Sequence, residues 1–342
     1  MSETEQPSQL LTVLPWQRDV WQRLTDQHRQ GRLPHALLLG GESGLGKAQF
    51  AKGLGQMLLC QQPQPLDGLQ QHCGHCKSCL LNQQGSHPDL VVIEPEADGK
   101  AIKVDQIRTL INTVTSSAQQ GGYRVIVLGP AESMNNNAAN ALLKVLEEPG
   151  AQTLFALYSH LPGRVSATVR SRCQSLPIAI PDEQIAADWL AQQPGFETDP
   201  LEPLRLAGGA PLAALEQALN GSSEQRKGLY QALKVMAMGE GSSTQIAEKI
   251  SKTKSLDLLD WWLTIVQDMI RYRLTEDPDQ VNTRTAKNLI VALSQRLTSQ
   301  QMFEFTDRIQ HYRQFLMSRN NPNERLMLED LLIDWGKLFR SR

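Results

Sequence analysis

The chain has 342 residues, enough for two or three domains of ordinary size. Its 34 lysines and arginines against 36 aspartates and glutamates give a net charge of −2. That balance argues against a protein that binds nucleic acid alone over a wide basic face. No apolar run approaches the roughly 18 residues that span a membrane, and the polar, acidic start is unlike a secretory signal. We therefore expect a cytoplasmic protein.

The first predicted unit of structure surrounds a glycine-rich turn. Ala36–Leu39 is a short apolar run that predicts a buried strand, and a helix is expected to begin near Gly46. Between them lies the spacing of a phosphate-binding loop, in which backbone N–H groups and a lysine hold phosphate oxygens. The candidate nucleotide-binding residues are Gly41, Gly44, Gly46 and Lys47.

Residues 60–88 are rich in Gln, His, Gly and Cys and read as an insertion without a helical period. The insertion contains four of the five cysteines, Cys60, Cys73, Cys76 and Cys79. Two overlapping C-x2-C pairs and one upstream cysteine supply four thiolates, which suits a structural, tetrahedral Zn²⁺. Two alternatives remain open, a redox-active C-x2-C pair and replacement of one thiolate by His72, His75 or His87.

Strands and helices are expected to alternate after the insertion. The predicted strands are 89–93, 124–128, 153–158 and 173–178, and the predicted helices are 104–111 and 137–148. Alternation of this kind implies right-handed crossovers and a parallel sheet with both faces covered. The glycine-rich loop then lies at the carboxyl edge of the sheet, where ligands bind.

The residues that would complete an ATPase site are missing. Ala48 stands where a Ser or Thr hydroxyl would hold Mg²⁺, and Gly129 and Pro130 follow the third predicted strand where acids would be needed. Glu132 lies further along the turn and is expected to be a solvated turn acid or a helix cap. We therefore expect no ATP hydrolysis by this chain.

Two arginines, Arg170 and Arg172, precede the last predicted strand, on the expected far flank of the sheet from the glycine-rich loop. One interpretation is a salt-bridging pair at a helix end. The other is that Arg172 is an arginine finger, offered to a γ-phosphate bound by a neighbouring subunit. The adjacent Cys173 is expected to be a small core residue.

After Pro181 only helices are expected. The predicted helical segments are 183–191 and 201–219, with a break at Gly208-Gly209, a linker at 220–223 and helices from there to the C-terminus. The last helix is expected to be capped by Asn321 with Pro322 at its first position. One of its faces is apolar and predicts a core, namely Leu328, Leu331, Leu332, Trp335, Leu338 and Phe339.

Taken together, these features resemble the clamp-loader branch of AAA+ proteins. The resemblance rests on Pro34–Leu39, the incomplete phosphate loop, the four-cysteine insertion, Asn140–Pro149 and Ser171–Cys173. Within that branch the chain is most similar to the stationary subunit of the bacterial DNA polymerase III clamp loader. The likeness covers the whole chain and is weaker in the C-terminal helices, where Asn323–Leu332 is similar to the final helix of the family.

The resemblance implies three domains. The first is a RecA-like AAA+ α/β domain over residues 1–178, with the zinc module inserted at 60–88. A small helical lid at 179–220 and an all-helical collar domain at 221–342 are expected to follow. The collar would join five subunits into a ring.

The resemblance also implies a function in DNA replication. In such a hetero-pentamer the motor subunits (gamma/tau) bind ATP, a delta subunit opens the sliding clamp, and the stationary subunit supports loading of the clamp onto primed DNA. By position, Arg172 matches the arginine finger, and Pro211 falls near a lid arginine that motor subunits use as a sensor. The chain would be neither a polymerase nor an active ATPase, and would belong to the nucleoid-associated replisome.

Two other functions fit part of the sequence. An ATP-hydrolysing clamp-loader motor would retain Lys47 but would need the acids that are missing after Leu128. A nucleotide kinase can combine a phosphate loop with a cysteine zinc module, but it needs arginines in its lid, and this insertion has none. The phosphate loop is less degraded than is common for stationary subunits, which leaves open whether it binds nucleotide.

Overall fold

The computed structural model describes residues 10–97, 99–114, 122–196, 199–220, 222–317 and 323–340. The chain divides into two compact units. The first extends to Trp189 and includes Ala210–Ala213, and the second consists of Leu190–Gly209 and the chain from Ala214 onward. The division falls inside the segment expected to form a separate lid, and the three-domain organisation stays a prediction.

The first unit is an α/β structure around a parallel sheet of five strands. These strands are β1 (Ala36–Gly40), β4 (Leu90–Ile93), β5 (Arg124–Leu128), β6 (Thr153–Ser159) and β7 (Gln174–Pro177). They lie side by side in the order β4-β5-β6-β1-β7, and every neighbouring pair is parallel. The helices of this part are α1 (Arg18–Arg29), α2 (Lys47–Leu59), α4 (Val104–Val114), α5 (Asn136–Glu147) and α6 (Ala167–Arg170). The expected parallel α/β fold is thus confirmed.

Both faces of the sheet are covered over its three central strands, β5, β6 and β1, and every residue of these strands is buried. Side chains alternate along β1, so that Leu37 and Leu39 pack on one face and Leu38 on the other. The first face is filled by α1 and α2, with Trp21 and Phe50 edge to face at 5.4 Å between ring centroids. The two cores fix β1, and the loop that leaves its carboxyl end is fixed with it.

The insertion contains more regular structure than its sequence indicates. Strands β2 (Gln64–Leu66) and β3 (Leu69–Gln71) form an antiparallel hairpin, and α3 (Lys77–Gln83) follows it. Elements of three and seven residues are too short to show a periodicity. Trp21 of α1 donates from its indole N–H to the Gln70 carbonyl at 2.8 Å and so joins the hairpin to the main fold.

The C-terminal part of the chain is helical. Its helices are α7 (Glu183–Ala191), α8 (Leu201–Leu206), α9 (Pro211–Leu219), α10 (Ser222–Met238), α11 (Ser243–Ile250), α12 (Ser255–Thr275), α13 (Lys287–Ser294), α14 (Ser299–Met317) and α15 (Glu324–Arg340). The core of the second unit centres on Trp262, Phe305 and Trp335, whose ring centroids are 5.2 to 5.7 Å apart. Trp335 also donates to the Leu233 carbonyl at 3.0 Å. The expected helical C-terminal part is confirmed.

Two predicted boundaries in this part differ from the structure. Helix α10 already begins at Ser222, inside the expected linker. Helix α15 is capped by Asn323, whose side chain accepts from the Leu326 N–H at 3.1 Å, whereas Asn321 and Pro322 lie outside the described residues. Among the described helices, none is both long enough and apolar enough to cross a lipid bilayer.

Candidate functional site

The glycine-rich loop connects β1 to α2 in the backbone form of a phosphate cradle. Gly44 and Gly46 have φ values of +78° and +77°, which side-chain-bearing residues rarely adopt. A Cβ at Gly44 would lie 2.5 Å from that of Ala213, and one at Gly46 would lie 2.5 Å from Leu14 Cδ1. Both positions therefore require glycine, for conformation and for space.

Neighbouring segments hold the loop by its carbonyl groups. Trp16 and Gln17 donate from their side chains to the Leu45 carbonyl at 3.0 and 2.9 Å. The Leu212 N–H, at the start of α9, donates to the Gly44 carbonyl at 3.1 Å. These contacts occupy oxygens on the outside of the turn, so they fix its shape while leaving its N–H groups for an anion.

Lys47 is turned into the loop. Its side chain is only 2% exposed, and its ammonium donates to the Glu42 carbonyl of the same loop. Burial lowers the pKa of this ammonium to about 8, although the nearby carboxylates of Glu132 and Glu42 act in the opposite direction. Binding a phosphate through Lys47 would first require the lysine to leave the Glu42 carbonyl.

The two residues directly after β5 carry no side chain that could hold a metal beside the loop. Gly129 and Pro130 follow Leu128, and Ala48 packs its methyl group against the core. Glu132 lies near Lys47, but the expectation of a solvated acid is wrong. Its Oε1 accepts from the His160 and Leu161 N–H groups at 2.9 and 3.2 Å, and its Oε2 is buried.

Glu132 is the residue of this site whose role the sequence does not reveal. It lies in a short turn at Ala131–Ser133, and its partners come almost 30 residues later, after β6. The sequence did offer one signal for this role. Glu132 lies within four residues of the end of β5, at the sheet edge that carries the phosphate loop. The carboxylate ties the β5 and β6 loops together beside Lys47.

The four clustered cysteines converge at the insertion. All four sulfur atoms lie within 4.8 Å of one another, and among the described residues this group of possible metal ligands contains no histidine. Three pairs of sulfur atoms are in contact: Cys60 and Cys76 at 3.8 Å, Cys73 and Cys79 at 3.9 Å, and Cys60 and Cys79 at 3.6 Å. All four cysteines are free of disulfide bonds, and a cluster of four sulfurs fits a metal ion better than a redox pair of two.

The sulfur cluster has the dimensions of a tetrahedral metal site. Four sulfurs at about 2.3 Å from Zn²⁺ would be about 3.8 Å apart, close to the observed separations. The Cys73 N–H donates to the Cys60 sulfur at 3.2 Å and the Cys76 N–H to the Cys73 sulfur at 3.3 Å, contacts that favour thiolates. Burial raises the pKa of the Cys76 thiol, but hydrogen bonds outweigh it and lower this pKa to about 6. The four residues can hold a metal ion.

Arg172 lies at the other end of the sheet from the phosphate loop. It precedes β7, which is paired with β1, so the expected separation on a far flank is wrong. The two sites are instead separated along the strands, since Arg172 lies at the amino edge and the loop at the carboxyl edge. Its guanidinium pairs with the Glu147 carboxylate, with Nε to Oε1 at 2.8 Å, and donates to the Thr168 carbonyl at 2.8 Å.

The residues around Arg172 have simpler roles. Arg170 is exposed and donates to the Pro162 carbonyl at 3.3 Å. Cys173 packs against the core, and burial raises the pKa of its thiol to about 11, which makes it a poor nucleophile at neutral pH. Cys173 is partly buried, so it lies at the margin of the core and not inside it.

Relatives match nearly the whole chain, and two family models match most of it. A model described as DNA polymerase III, delta subunit, matches residues 16–182, and one described as DNA polymerase III, delta subunit, C terminal, matches residues 221–337. The DNA polymerase III subunit delta' of Pseudomonas aeruginosa is 36% identical over 328 residues, which are 95% of this chain and 98% of that protein. The subunit delta' of Escherichia coli is 33% identical over 320 residues, 93% and 94% of the two chains.

A solved structure supports the fold. The DNA polymerase III gamma subunit-related protein of Thermotoga maritima has a TM-score of 0.52 to this chain and is 16% identical. The match covers 93% of this chain and 99% of that protein. With the sheet order above, this likeness confirms the expected RecA-like AAA+ architecture followed by helices.

Proposed function

The chain belongs to the family of DNA polymerase III delta-prime subunits, and from that membership we propose that it is the stationary, non-catalytic subunit of a clamp loader. It would assemble with motor subunits of the gamma/tau type and a delta subunit into a hetero-pentamer. Through that assembly it would act on the sliding clamp and primed DNA, in the replisome at the nucleoid.

The observation that carries the non-catalytic role is the state of the phosphate loop. The loop keeps its glycines and Lys47, but Ala48, Gly129 and Pro130 supply neither a Mg²⁺ ligand nor a carboxylate to polarise water. Glu132, the nearby acid, already accepts from two backbone N–H groups. Any nucleotide held by Gly41, Gly44, Gly46 and Lys47 would be bound weakly and would not be hydrolysed, which separates this chain from a motor subunit.

The insertion would hold one structural Zn²⁺ through Cys60, Cys73, Cys76 and Cys79. The metal would link the segment before β2 to α3, where few apolar side chains are available to bury. Such a closed four-thiolate site stabilises a fold and leaves no coordination position for chemistry.

Arg172 would be the finger that this subunit offers to ATP on a neighbouring motor subunit. Its own phosphate loop lies at the opposite edge of the sheet, so the nucleotide that its guanidinium contacts would be bound to a different chain. The pairing with Glu147 does not prevent this, because Arg172 is 33% and Glu147 51% exposed and ion pairs of this kind contribute only about 0–1 kcal/mol. A bidentate phosphate contact can replace it.

The test uses the assembled clamp loader. Arg172→Ala is expected to assemble normally and to lower ATP hydrolysis at the neighbouring motor site, since such fingers contribute on the order of 10³-fold or more in rate. Clamp loading onto primed DNA should fall with it. The isolated chain should not hydrolyse ATP. Hydrolysis at ~1 s⁻¹ that Lys47→Ala abolishes would contradict the non-catalytic role.

Two further variants separate a finger from a merely structural arginine. Glu147→Gln breaks the same ion pair but leaves Arg172 available, so it should retain ATP hydrolysis and loading. Arg170→Ala, two residues away, should also leave both rates nearly unchanged. If Glu147→Gln lowers the rates as much as Arg172→Ala does, the ion pair matters and the finger assignment is wrong.

A further inference from the structure

The second unit contains a groove with a strongly basic rim. It lies between α10 and the segment that leads into and forms α13, and has a volume of about 570 Å³. Five of its lining residues are cations, Lys227, Lys234, Arg284, Lys287 and Arg296, and no lining residue is acidic. On a chain whose net charge is −2, this concentration of positive charge is a local feature.

The charge of the rim is only partly neutralised by neighbours. Lys227, Arg284 and Lys287 pair with Glu224, Asp199 and Asp279, at 2.7, 3.4 and 2.8 Å, and all three acids lie outside the groove. These pairs are largely exposed and therefore weak, so an incoming anion can exchange with them.

Two cations remain without a carboxylate partner among the described residues. Lys234 is exposed on α10 and makes no ion pair there. Arg296 donates to the carbonyls of Ala237 and Phe339, at 3.4 and 3.1 Å, and its guanidinium lies 5.0 Å from the Phe339 ring centroid. Its N–H groups thus bind backbone carbonyls, but no carboxylate among the described residues neutralises its positive charge at the groove.

The groove is apolar between its charged rims. On α10, Lys227, Gln231, Lys234 and Met238 are spaced as one face of the helix, and Met238 at the end of that face is 53% exposed. Across from it the lining includes Leu289, Ala292 and Leu293 of α13. A ligand that matches both the basic rim and the apolar lining carries negative charge and at least one apolar side chain.

We propose that the α10–α13 groove binds a short acidic peptide segment with one or two apolar side chains, contributed by a partner protein. The face from Lys227 to Met238 is about 16 Å long, the length of about five residues of extended chain. Carboxylates of such a segment would contact the rim lysines, and its apolar side chains would pack against Met238 and α13. This site is additional to the ATP-related role proposed above.

The lining favours a peptide over a nucleic acid. Single-stranded nucleic acids are held by aromatic side chains on which bases stack. Tyr230 is the aromatic residue of this groove and is 7% exposed, so no ring is presented to a base. An exposed methionine beside leucine and alanine instead offers an adaptable apolar surface of the kind that accommodates peptide side chains.

The experiment measures fluorescence anisotropy of a labelled peptide with the full chain. The probe is an octapeptide of aspartates and glutamates with two leucines, and a version with both leucines replaced by serine reports the apolar contribution. Binding is expected at 50 mM salt and should weaken as salt rises, because exposed charges are screened. The serine version should bind several-fold more weakly.

Variants assign the binding to the groove. Lys234→Glu should weaken binding on the order of tenfold, since it places a like charge opposite the peptide. Met238→Asp should weaken it similarly. Lys249→Glu is the matched control, an equal change of charge at an exposed residue of α11 outside the groove, and should leave affinity unchanged. All three variants change exposed positions, and circular dichroism checks that each remains folded.

Three results would overturn the proposal. The first is no saturable binding of the octapeptide by the full chain at low salt. The second is binding that Lys234→Glu and Met238→Asp leave unchanged. The third is a thymidine 16-mer that displaces the peptide and binds more tightly in a manner sensitive to Lys234→Glu, which would make the groove a nucleic-acid site.

Discussion

Lys47 occupies the lysine position of the phosphate-loop motif, but its ammonium contacts the loop itself. In a phosphate loop the lysine charge serves the bound phosphate, whereas here it is buried and directed to the Glu42 carbonyl. Burying an ammonium without a direct carboxylate partner costs free energy, and the lowered pKa of Lys47 is the sign of that cost. Lys47 therefore lowers the stability of the fold in this position.

This cost predicts the effect of Lys47→Met. The variant should raise the free energy of unfolding of the first unit at pH 7 by about 1–2 kcal/mol, less than the full equivalent of the pKa shift because the Glu42 carbonyl loses its donor. The folded pKa of Lys47 is about 8 and the unfolded value is near 10.5. Between them the unfolded chain binds more protons, so the parent gains stability as pH rises. The advantage of the variant should therefore shrink from pH 8 to pH 10.

Calorimetry of the full chain at pH 7, 8, 9 and 10 checks this. Lys52→Met is the control on the same helix, because Lys52 is partly exposed and pairs with Glu94 at 3.0 Å. Removing that pair should lower stability slightly at pH 7, opposite in sign to Lys47→Met. An advantage of Lys47→Met that grows with pH would mean that burial does not destabilise the charged form.

At the scale of the element, the insertion depends on its four sulfurs. Its hairpin strands have three residues each and α3 has seven, lengths at which neither element is stable alone. Elemental analysis of the native chain should find about one equivalent of zinc. Cys76→Ala should release it and loosen the hairpin and α3, while the five-stranded sheet remains folded because its cores are separate from the cluster.

Two matched variants test the ligand set. Cys173→Ala removes the fifth cysteine, which lies outside the cluster, and should retain full metal content. His75→Ala should also retain it, because the His75 ring contacts the Cys73 carbonyl at 2.9 Å and lies outside the cluster of sulfurs. Native protein without metal, or loss of zinc in His75→Ala but not in Cys76→Ala, would refute the four-cysteine site.

At the scale of the whole molecule, the elements that sequence predicts best are those with a strong local signal. The five sheet strands were expected within one residue of their observed ends. Four of them, β1, β4, β5 and β6, are largely apolar runs, which is the signal that predicts a buried strand. The cysteine cluster was also expected, since the C-x2-C spacing constrains which thiols can meet. Local chemistry suffices in both cases.

Contacts between distant segments could not be predicted in this way. The Glu132 carboxylate meets N–H groups almost 30 residues later, and Arg172 meets Glu147 across 25 residues. The location of Arg172 at the amino edge depends on β7 pairing beside β1, which no local pattern encodes. Charges at such positions have several possible partners, and only the folded arrangement selects one.

The strand order also determines when the sheet can form. β4, β5 and β6 pair with residues about 30 to 35 positions apart, but Leu37 of β1 pairs with Gln174 of β7, 137 residues later. The second separation is about four times the first, and this fourfold increase adds about 1 kcal/mol to the entropic cost of closing the loop. At 5–20 residues per second, synthesis separates the two strands by about 7–27 s. The strand that leads into the phosphate loop is made first, but its partner β6 follows 119 residues later, as Ala36 pairs with Phe155. β7, the edge strand, has β1 as its only neighbour among the described strands and can pair only once β1 is present.

Pulse-labelled hydrogen exchange during refolding of the zinc-bound chain can follow this order. Amides of β4, β5 and β6 should become protected before those of β1 and β7. Simultaneous protection of all five strands would show that closing the long loops does not limit the rate of folding.

During the time between synthesis of β1 and of its partner strands, the three leucines of β1 form an unpaired apolar segment. A ribosome-associated chaperone would have its clearest binding site there.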